Sequence, residues 1–317
     1  MRNHVIDKIT ELALEDERIM FVSADLGYNV VNEYAKKFPD RFINVGIAEQ
    51  NMASIAAGLA LEGNLVFTYS IGNFPTLRCI EQIRNDICYH NANVKILAVG
   101  GGFAYGDLGM SHHATEDIAM MRALPHMRVY VPADELEALA CLEEAMQMEG
   151  PAYIRMAKGK EEKHHKDNEH LCVDRLLPVV SKARVQISIV ATGTVLSEAI
   201  KLAELLEQES IAAQVFSSPS VKPLDEHGIL ELAQRCKLLV SMEDHNIIGG
   251  LGDAIASVLS ERCSHARLLK VGLKDTFTDV VGDQDYLRNY YGISAERVKE
   301  KILEICRDEK STDNRSQ

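Results

Sequence analysis

The sequence predicts an α/β protein of two layered domains, each built on a mostly parallel sheet. Three observations carry that prediction. Short runs rich in Val, Ile, Leu and aromatic residues alternate with segments of helical spacing. One stretch, KGKEEKHHKDNEH (158–170), breaks the alternation with charge and has no apolar period. A second, shorter alternation follows it. Strands separated by helix-length crossovers pair in parallel and are covered by those helices.

In chain order, MRNHVIDKITELALEDER at the start reads as a polar-faced helix and not as a signal peptide. MFVSAD (20–25), LVFTYS (65–70), VKILAVG (94–100), MRVYVPA (127–133) and AYIRM (152–156) read as strands. Ala48–Leu61, Thr76–His90, Thr115–Ala123 and Asp134–Met148 have helical spacing between them. Past the charged stretch, itself a linker or exposed loop, come the strands ISIVATG (187–193), AAQVFS (212–217), KLLVSME (237–243) and ARLLKVG (266–272). Helices are expected from Val195 and from Gly249, and the end, RDEKSTDNRSQ (307–317), as a frayed tail.

The totals narrow the function. A length of 317 residues suggests about two domains. With 34 basic and 47 acidic residues the net charge is −13, which disfavours a general nucleic-acid or membrane-surface role. No apolar run approaches the ~20 residues needed to span a bilayer. The 7 cysteines (79, 88, 141, 172, 236, 263, 306) are scattered, without a CxxC pair. That pattern points to a reducing cytoplasm and to buried cysteines, not to disulfides or a zinc site.

One carboxylate stands out. Glu49 opens a helix in GIAEQNMASIAAGLAL, among Ile47, Ala48, Met52 and Ala53. An acidic residue in a first turn stabilises the positive helix end. Apolar neighbours also desolvate it, which favours the proton-bound form and suits it to proton transfer.

At this point the motifs resemble a known family. FPDRFINVGIAEQNMASIAAGLAL (38–61) is similar to the signature of the transketolase group of thiamine-diphosphate enzymes, in their pyrimidine-binding domain. CIEQIRNDICYHNANVKI (79–96), GDLGMSHHATEDIAMMRALPHM (106–127), VYVPADELEA (129–138) and GPAYIRMAKG (150–159) follow in the same order. IVATGTVLSEAIKLAELL (189–206), SPSVKPLD (218–225) and MEDHNIIGGLGDAIA (242–256) resemble the transketolase C-terminal domain. The resemblance implies a pyrimidine-binding domain over 1–160, a linker over 161–184, a C-terminal domain over 185–308 and a flexible tail over 309–317.

It also implies roles. The residue answering to Glu49 shares a proton with the aminopyrimidine of thiamine diphosphate, which lets the thiazolium carbon lose its proton and become the nucleophile. Phe74, in YSIGNFPTLR, answers to an aromatic stacked on that pyrimidine, and Asp25, in VSADLG, lies in a loop near cofactor and substrate. His112 matches a histidine facing the reacting carbonyl and hydroxyl. His113, where Gln is commoner, and Asp107, in a loop that usually holds an acidic pair, complete the substrate side. Arg155 and Lys158 are candidates for a phosphate or carboxylate. Each also has an ordinary reading: Phe74 as core, the histidines as loop residues, Asp25 as a turn, the two cations as solvated charge.

Three departures concern the substrate. Gly100 stands where the family commonly has a His, and Leu108 replaces one member of the acidic pair. No Ser usually assigned to the sugar phosphate is evident in GYNVV after Leu26. The phosphate pocket therefore stays open.

What is missing suggests a partner. The resembled enzymes hold magnesium and the diphosphate through a Gly-Asp-Gly motif in a separate domain. LGDAIAS and VGDQDYL lack the third Gly, and GGLGD (249–253) reads as a helix-opening turn. The chain thus resembles the C-terminal subunit of a split transketolase, moving a two-carbon ketol unit between a ketose and an aldose. Mg2+ would sit on an N-terminal partner subunit in an α2β2 assembly. Two readings compete: a deoxyxylulose-phosphate synthase or 2-oxo-acid dehydrogenase β-type enzyme, and a non-catalytic structural subunit.

Overall fold

In the computed structural model, which describes residues 1–159, 161–166, 169–262 and 266–313, the apolar runs form two layered α/β units. The first holds α1 (Arg2–Leu12), β1 (Ile19–Ser23), α2 (Asn32–Lys37), β2 (Phe42–Asn44), α3 (Glu49–Leu61) and β3 (Leu65–Ile71). It continues with α4 (Ile80–Gln82), β4 (Val94–Val99), α5 (Asp117–Ala123), β5 (Arg128–Tyr130), α6 (Glu135–Gln147) and β6 (Ala152–Met156). The second holds β7 (Leu177–Val180), β8 (Ile187–Thr192), α7 (Leu196–Gln208), β9 (Ala213–Ser217), β10 (Ser220–Lys222) and α8 (Glu226–Arg235). Then come β11 (Leu238–Asn246), α9 (Leu251–Glu261), β12 (Arg267–Leu273), α10 (Gln284–Tyr290) and α11 (Ala295–Asp313).

Among the described residues the strands form two sheets, ordered β10-β5-β6-β4-β3-β1-β2 and β12-β11-β8-β9-β7. Pairing is parallel except at one edge of each, where β10 runs against β5 and β7 against β9. Parallel strands covered on both faces read as unbroken apolar runs. β4, VKILAV, is buried at every residue, Lys95 included. The Lys95 ammonium donates to the carbonyls of Met148 and Gly150, at 2.9 and 2.6 Å, just past the end of α6. The opposite end of α6 is closed by Asp134, whose carboxylate accepts from Glu137 N at 2.9 Å. Helix α3 buries Met52, Ala53, Ala56, Ala57 and Ala60, small residues that bring its axis close to the sheet.

The two units share material. β10 lies in the second half of the chain yet completes the first sheet, and one apolar cluster contains Ile96, Met121, Val221, Ile229 and Ile255.

Several expectations are corrected. The helix expected over Thr76–His90 is three short pieces: a 3-10 turn at Leu77–Cys79, α4, and a π-helix at Ile83–Cys88. Its Asp86 accepts from Ser54 Oγ on α3 at 2.7 Å. Described residues of the stretch read as a linker or exposed loop are tied to the first unit. His165 is buried with Nε2 2.8 Å from Glu137, and the backbone N–H groups of His164 and His165 donate to Asp134. β7 also falls within the expected linker. Strands β2, β7 and β10 are too short or too polar to stand out as apolar runs. Helix α11 covers part of the expected tail, and 314–317 lies outside the described residues. Cys79, Cys88 and Cys141 are buried, but Cys172 is exposed and Cys236 and Cys306 are half-buried; Cys263 lies outside the described residues. Among the described residues no helix is long and apolar enough to cross a membrane.

Candidate active site

Open parallel sheets gather polar groups at the carboxyl ends of their strands, where the strand order reverses. In the first sheet, β2 lies on one side of β1 and β3 on the other, so the crevice between the ends of β1 and β3 is that point. Helix α3 crosses from β2 to β3 and begins at Glu49, while the loop after β3 carries Phe74. Packing then brings in the loop after β4. Gly72 comes so close to Ala114 that an added Cβ would sit 2.9 Å from the Ala114 Cβ, and Asn73 Nδ2 donates to the carbonyl of His113.

The contacts run in a chain. Glu49 is 3% exposed, and its Oε2 accepts from Arg78 Nη1 at 2.7 Å. The Arg78 guanidinium carbon lies 4.8 Å from the centre of the Phe74 ring. Phe74 meets His112 edge-on, with ring centres 5.3 Å apart. His112 lies 6.4 Å from the Tyr105 ring, and Lys158 Nζ stands 4.7 Å from the centre of that same ring. Glu49, Phe74, His112 and Lys158, spread over more than a hundred residues of sequence, thus form one line of neighbours joined by Arg78 and Tyr105.

Neither joining residue was singled out from the sequence. Glu49 is buried as its apolar neighbours suggest, but Ile47 turns outward at 80% exposure and the carboxylate finds a cation 29 residues away. The one signal available was an isolated Arg in the otherwise uncharged FPTLRCI.

The two histidines face different ways. His112 is half-buried, and its Nδ1 lies 3.1 Å from Ser111 Oγ. His113 is 1% exposed, and both its ring nitrogens are occupied: Nδ1 is 2.7 Å from Thr278 Oγ1 and Nε2 is 3.2 Å from the Gly106 carbonyl. Burial pushes the His113 pKa below the ordinary value, with the neighbouring His112 adding to that and the Gly106 carbonyl opposing it. It ties the loop to the second unit and leaves no ring nitrogen for a substrate, which corrects its expected role.

Arg155 is corrected in the same way. It is buried, with Nε donating to Asp117 Oδ2 at 2.8 Å and Nη2 donating to the carbonyls of Ala114 and Asp244 at 2.6 and 2.9 Å. Asp117 is wholly buried and also accepts from Tyr153. On the far side, Asp244 receives Arg288 Nη2 at 2.5 Å and Gln284 Nε2 at 2.9 Å. Arg155 therefore joins the two units instead of meeting a substrate anion. Lys158 is the exposed cation of the pair. It borders a cavity of about 500 Å³ lined also by Ala104, His164, Thr194 and Arg288.

Asp25 is exposed at the end of β1, with φ +55, and its Oδ1 accepts from Asn44 Nδ2 at 3.3 Å. Asp107 is exposed on the 3-10 turn Gly106–Leu108. Among the described residues no three His, Cys, Asp or Glu side chains gather to hold a metal ion.

Against known proteins, residues 1–162 match the sequence model of the transketolase pyrimidine-binding domain, and residues 178–298 that of the transketolase C-terminal domain. The chain is 35% identical to a putative transketolase C-terminal section of Methanocaldococcus jannaschii, over 98% of this chain and 97% of that one. It is 34% identical to a subunit of the apulose-4-phosphate transketolase of Actinobacillus succinogenes, covering 86% and 87% of the two. With the 6-deoxy-6-sulfo-D-fructose transketolase subunit SqwH of a Clostridium species it shares 33% identity, covering 96% and 94%. A solved split-gene transketolase, described as an inactive β4 tetramer, superposes with a TM-score of 0.85 at 36% identity, covering 96% of each chain.

Proposed function

The chain belongs to the transketolase family, among the C-terminal subunits of its split members, and from that premise we propose that it transfers a two-carbon ketol unit between a ketose and an aldose. It does so in concert with an N-terminal subunit that carries the diphosphate-binding domain, in an α2β2 assembly. One observation carries the reading: at the switch point of a parallel sheet, a buried carboxylate, Glu49, pairs with Arg78, whose guanidinium lies over the face of an aromatic ring, Phe74.

That pair suits a flat heteroaromatic ring with a basic nitrogen. Glu49 Oε2 is held by Arg78, and its other oxygen has no protein donor among the described residues. A single free carboxylate oxygen, linked through Arg78 to an aromatic ring, fits an aminopyrimidine. Thiamine diphosphate, when bound, supplies a carbon nucleophile and an electron sink for the two-carbon unit.

The remaining roles belong to the protein. Glu49 holds a proton at the pyrimidine nitrogen, and Arg78 fixes which oxygen does so. Phe74 covers the ring and excludes water. His112, anchored at Nδ1 by Ser111, presents Nε2 to the substrate oxygen and exchanges a proton there. Magnesium and the diphosphate are assigned to the partner, because the Gly-Asp-Gly ligands are not in this chain and no three-residue donor set gathers among its described residues.

The names of two relatives point to the substrate class. One acts on apulose 4-phosphate and the other on 6-deoxy-6-sulfo-D-fructose, sugars that share an anionic tail. A sugar bearing phosphate or sulfonate at the end remote from its carbonyl is accordingly the substrate class proposed here.

The test is assembly. The chain alone should show no tight, magnesium-dependent thiamine-diphosphate binding by calorimetry and no ketol transfer; adding the partner encoded beside it should bring both. Transfer by this chain alone would overturn the split reading.

A further inference from the structure

The family-like loop after β4 lacks a side chain at position 100, and the fold fills that space from elsewhere. Gly100 has φ +89, and a Cβ built there would lie 2.1 Å from Tyr105 Cε2 and 2.2 Å from Cδ2. The Cδ2–Cε2 edge of the Tyr105 ring therefore meets bare backbone, in the room that a residue at 100 would otherwise occupy. A side chain at 100 and a ring at 105 exclude one another.

The ring is held firmly. A two-way bridge between Gly102 and Ala114 closes the loop, with N···O distances of 2.9 and 3.1 Å. Gly106 N donates to Phe103 O and Leu108 N to Tyr105 O, each at 2.9 Å, and buried His113 grips the Gly106 carbonyl. Tyr105 is half-buried, its hydroxyl has no hydrogen-bond partner among the described residues, the Lys158 ammonium lies over its ring and the His112 ring is also a neighbour. A phenol with no internal partner, under an ammonium 4.7 Å from its ring centre, offers two donors within reach of one anionic group. Arg155, also near this strand end, is already committed to Asp117.

We infer that Tyr105 is a specificity-determining residue: its hydroxyl, together with the Lys158 ammonium, binds the anionic tail of the sugar, in place of the side chain missing at Gly100. This rests on the ketol-transfer reading above. Burial raises the Tyr105 pKa, with Arg2 opposing it, so the phenol stays protonated and donates at neutral pH.

The experiment uses the assembled two-subunit enzyme. Tyr105→Phe removes one hydroxyl and keeps the ring that packs on Gly100. With a ketose phosphate or, in a separate arm, a ketose sulfonate, KM should rise at least about tenfold while kcat stays within about twofold. With the same ketose lacking the tail, KM should not change. A rise confined to one arm identifies the tail that Tyr105 reads. An unchanged KM in both arms, or an equal rise with the tailless sugar, overturns the inference while leaving the ketol-transfer reading intact.

If the wild-type pair transfers nothing, that reading fails first, and binding decides this one separately. Ring-13C tyrosine is incorporated into this chain alone, and the Tyr105 signal is assigned by its loss in Tyr105→Phe. The ketose phosphate should shift that signal and the tailless ketose should not; no shift overturns the assignment.

Discussion

Replacing Arg155 by Met should cost stability and leave substrate affinity alone. The guanidinium is buried and makes three hydrogen bonds, one to Asp117 and two to carbonyls on separate halves of the chain. Met roughly matches the aliphatic stem and supplies no donor. Asp117, 0% exposed, would keep only the Tyr153 hydroxyl, and its Oδ1 already lacks a partner. Removing one partner of a buried ion pair typically costs about 3–5 kcal/mol, because the remaining charge is stranded. Against a usual domain stability of about 5–15 kcal/mol, that is a large share. Urea unfolding of the chain, followed by circular dichroism, should show the midpoint falling by a corresponding amount. Asp117→Asn combined with Arg155→Met should recover part of the loss, since no buried charge is then left over. In the assembled enzyme, the surviving folded fraction should keep a near-normal KM. A stable Arg155→Met variant, within about 1 kcal/mol of wild type, with a strongly raised KM would refute this reasoning and restore Arg155 as a substrate ligand.

Three further outcomes are expected. Glu49→Gln keeps the shape and loses the proton-sharing group, so activity of the assembled enzyme should drop by roughly 10²–10⁴-fold with the folded structure retained; activity within about threefold of wild type would remove Glu49 from the proposed chemistry. His112→Ala should lower kcat without weakening cofactor binding by calorimetry, whereas His113→Ala should lower the melting temperature through the lost Thr278 and Gly106 contacts; the reverse ranking would exchange their roles. Burial pushes the Lys95 pKa down to about 7, with nearby Arg128 adding to the effect. The unfolded chain then binds more protons than the folded one between about pH 7 and the free-lysine value near 10.4. Wild type should therefore gain stability over Lys95→Met as pH rises through that window, and denaturant midpoints that run parallel across it would contradict the assignment.

How much of this was legible in the sequence depends on how far each determinant reaches. Apolar period and strand–helix alternation are local properties, so the two α/β layers, most strands and the position of Glu49 at the start of a helix could be read directly. The motifs around Glu49, Phe74 and His112 lie in the segments that follow β2, β3 and β4. Side-chain partners are not local. Arg78 and Glu49 are 29 residues apart, and Arg155 meets Asp117 across 38 residues and the Asp244 carbonyl across 89. His112 and His113 are adjacent in sequence and similar in chemistry. Contacts with Thr278, 165 residues on, and with the Gly106 carbonyl make His113 part of the scaffold, while His112 stays half-buried. The same holds for β10, a three-residue strand with no run of its own, which exists because β5 offers it an edge. Hydrophobic patterning determined which segments are buried; close packing between distant segments decided which charges face each other there, and with it which candidates remain open to a substrate.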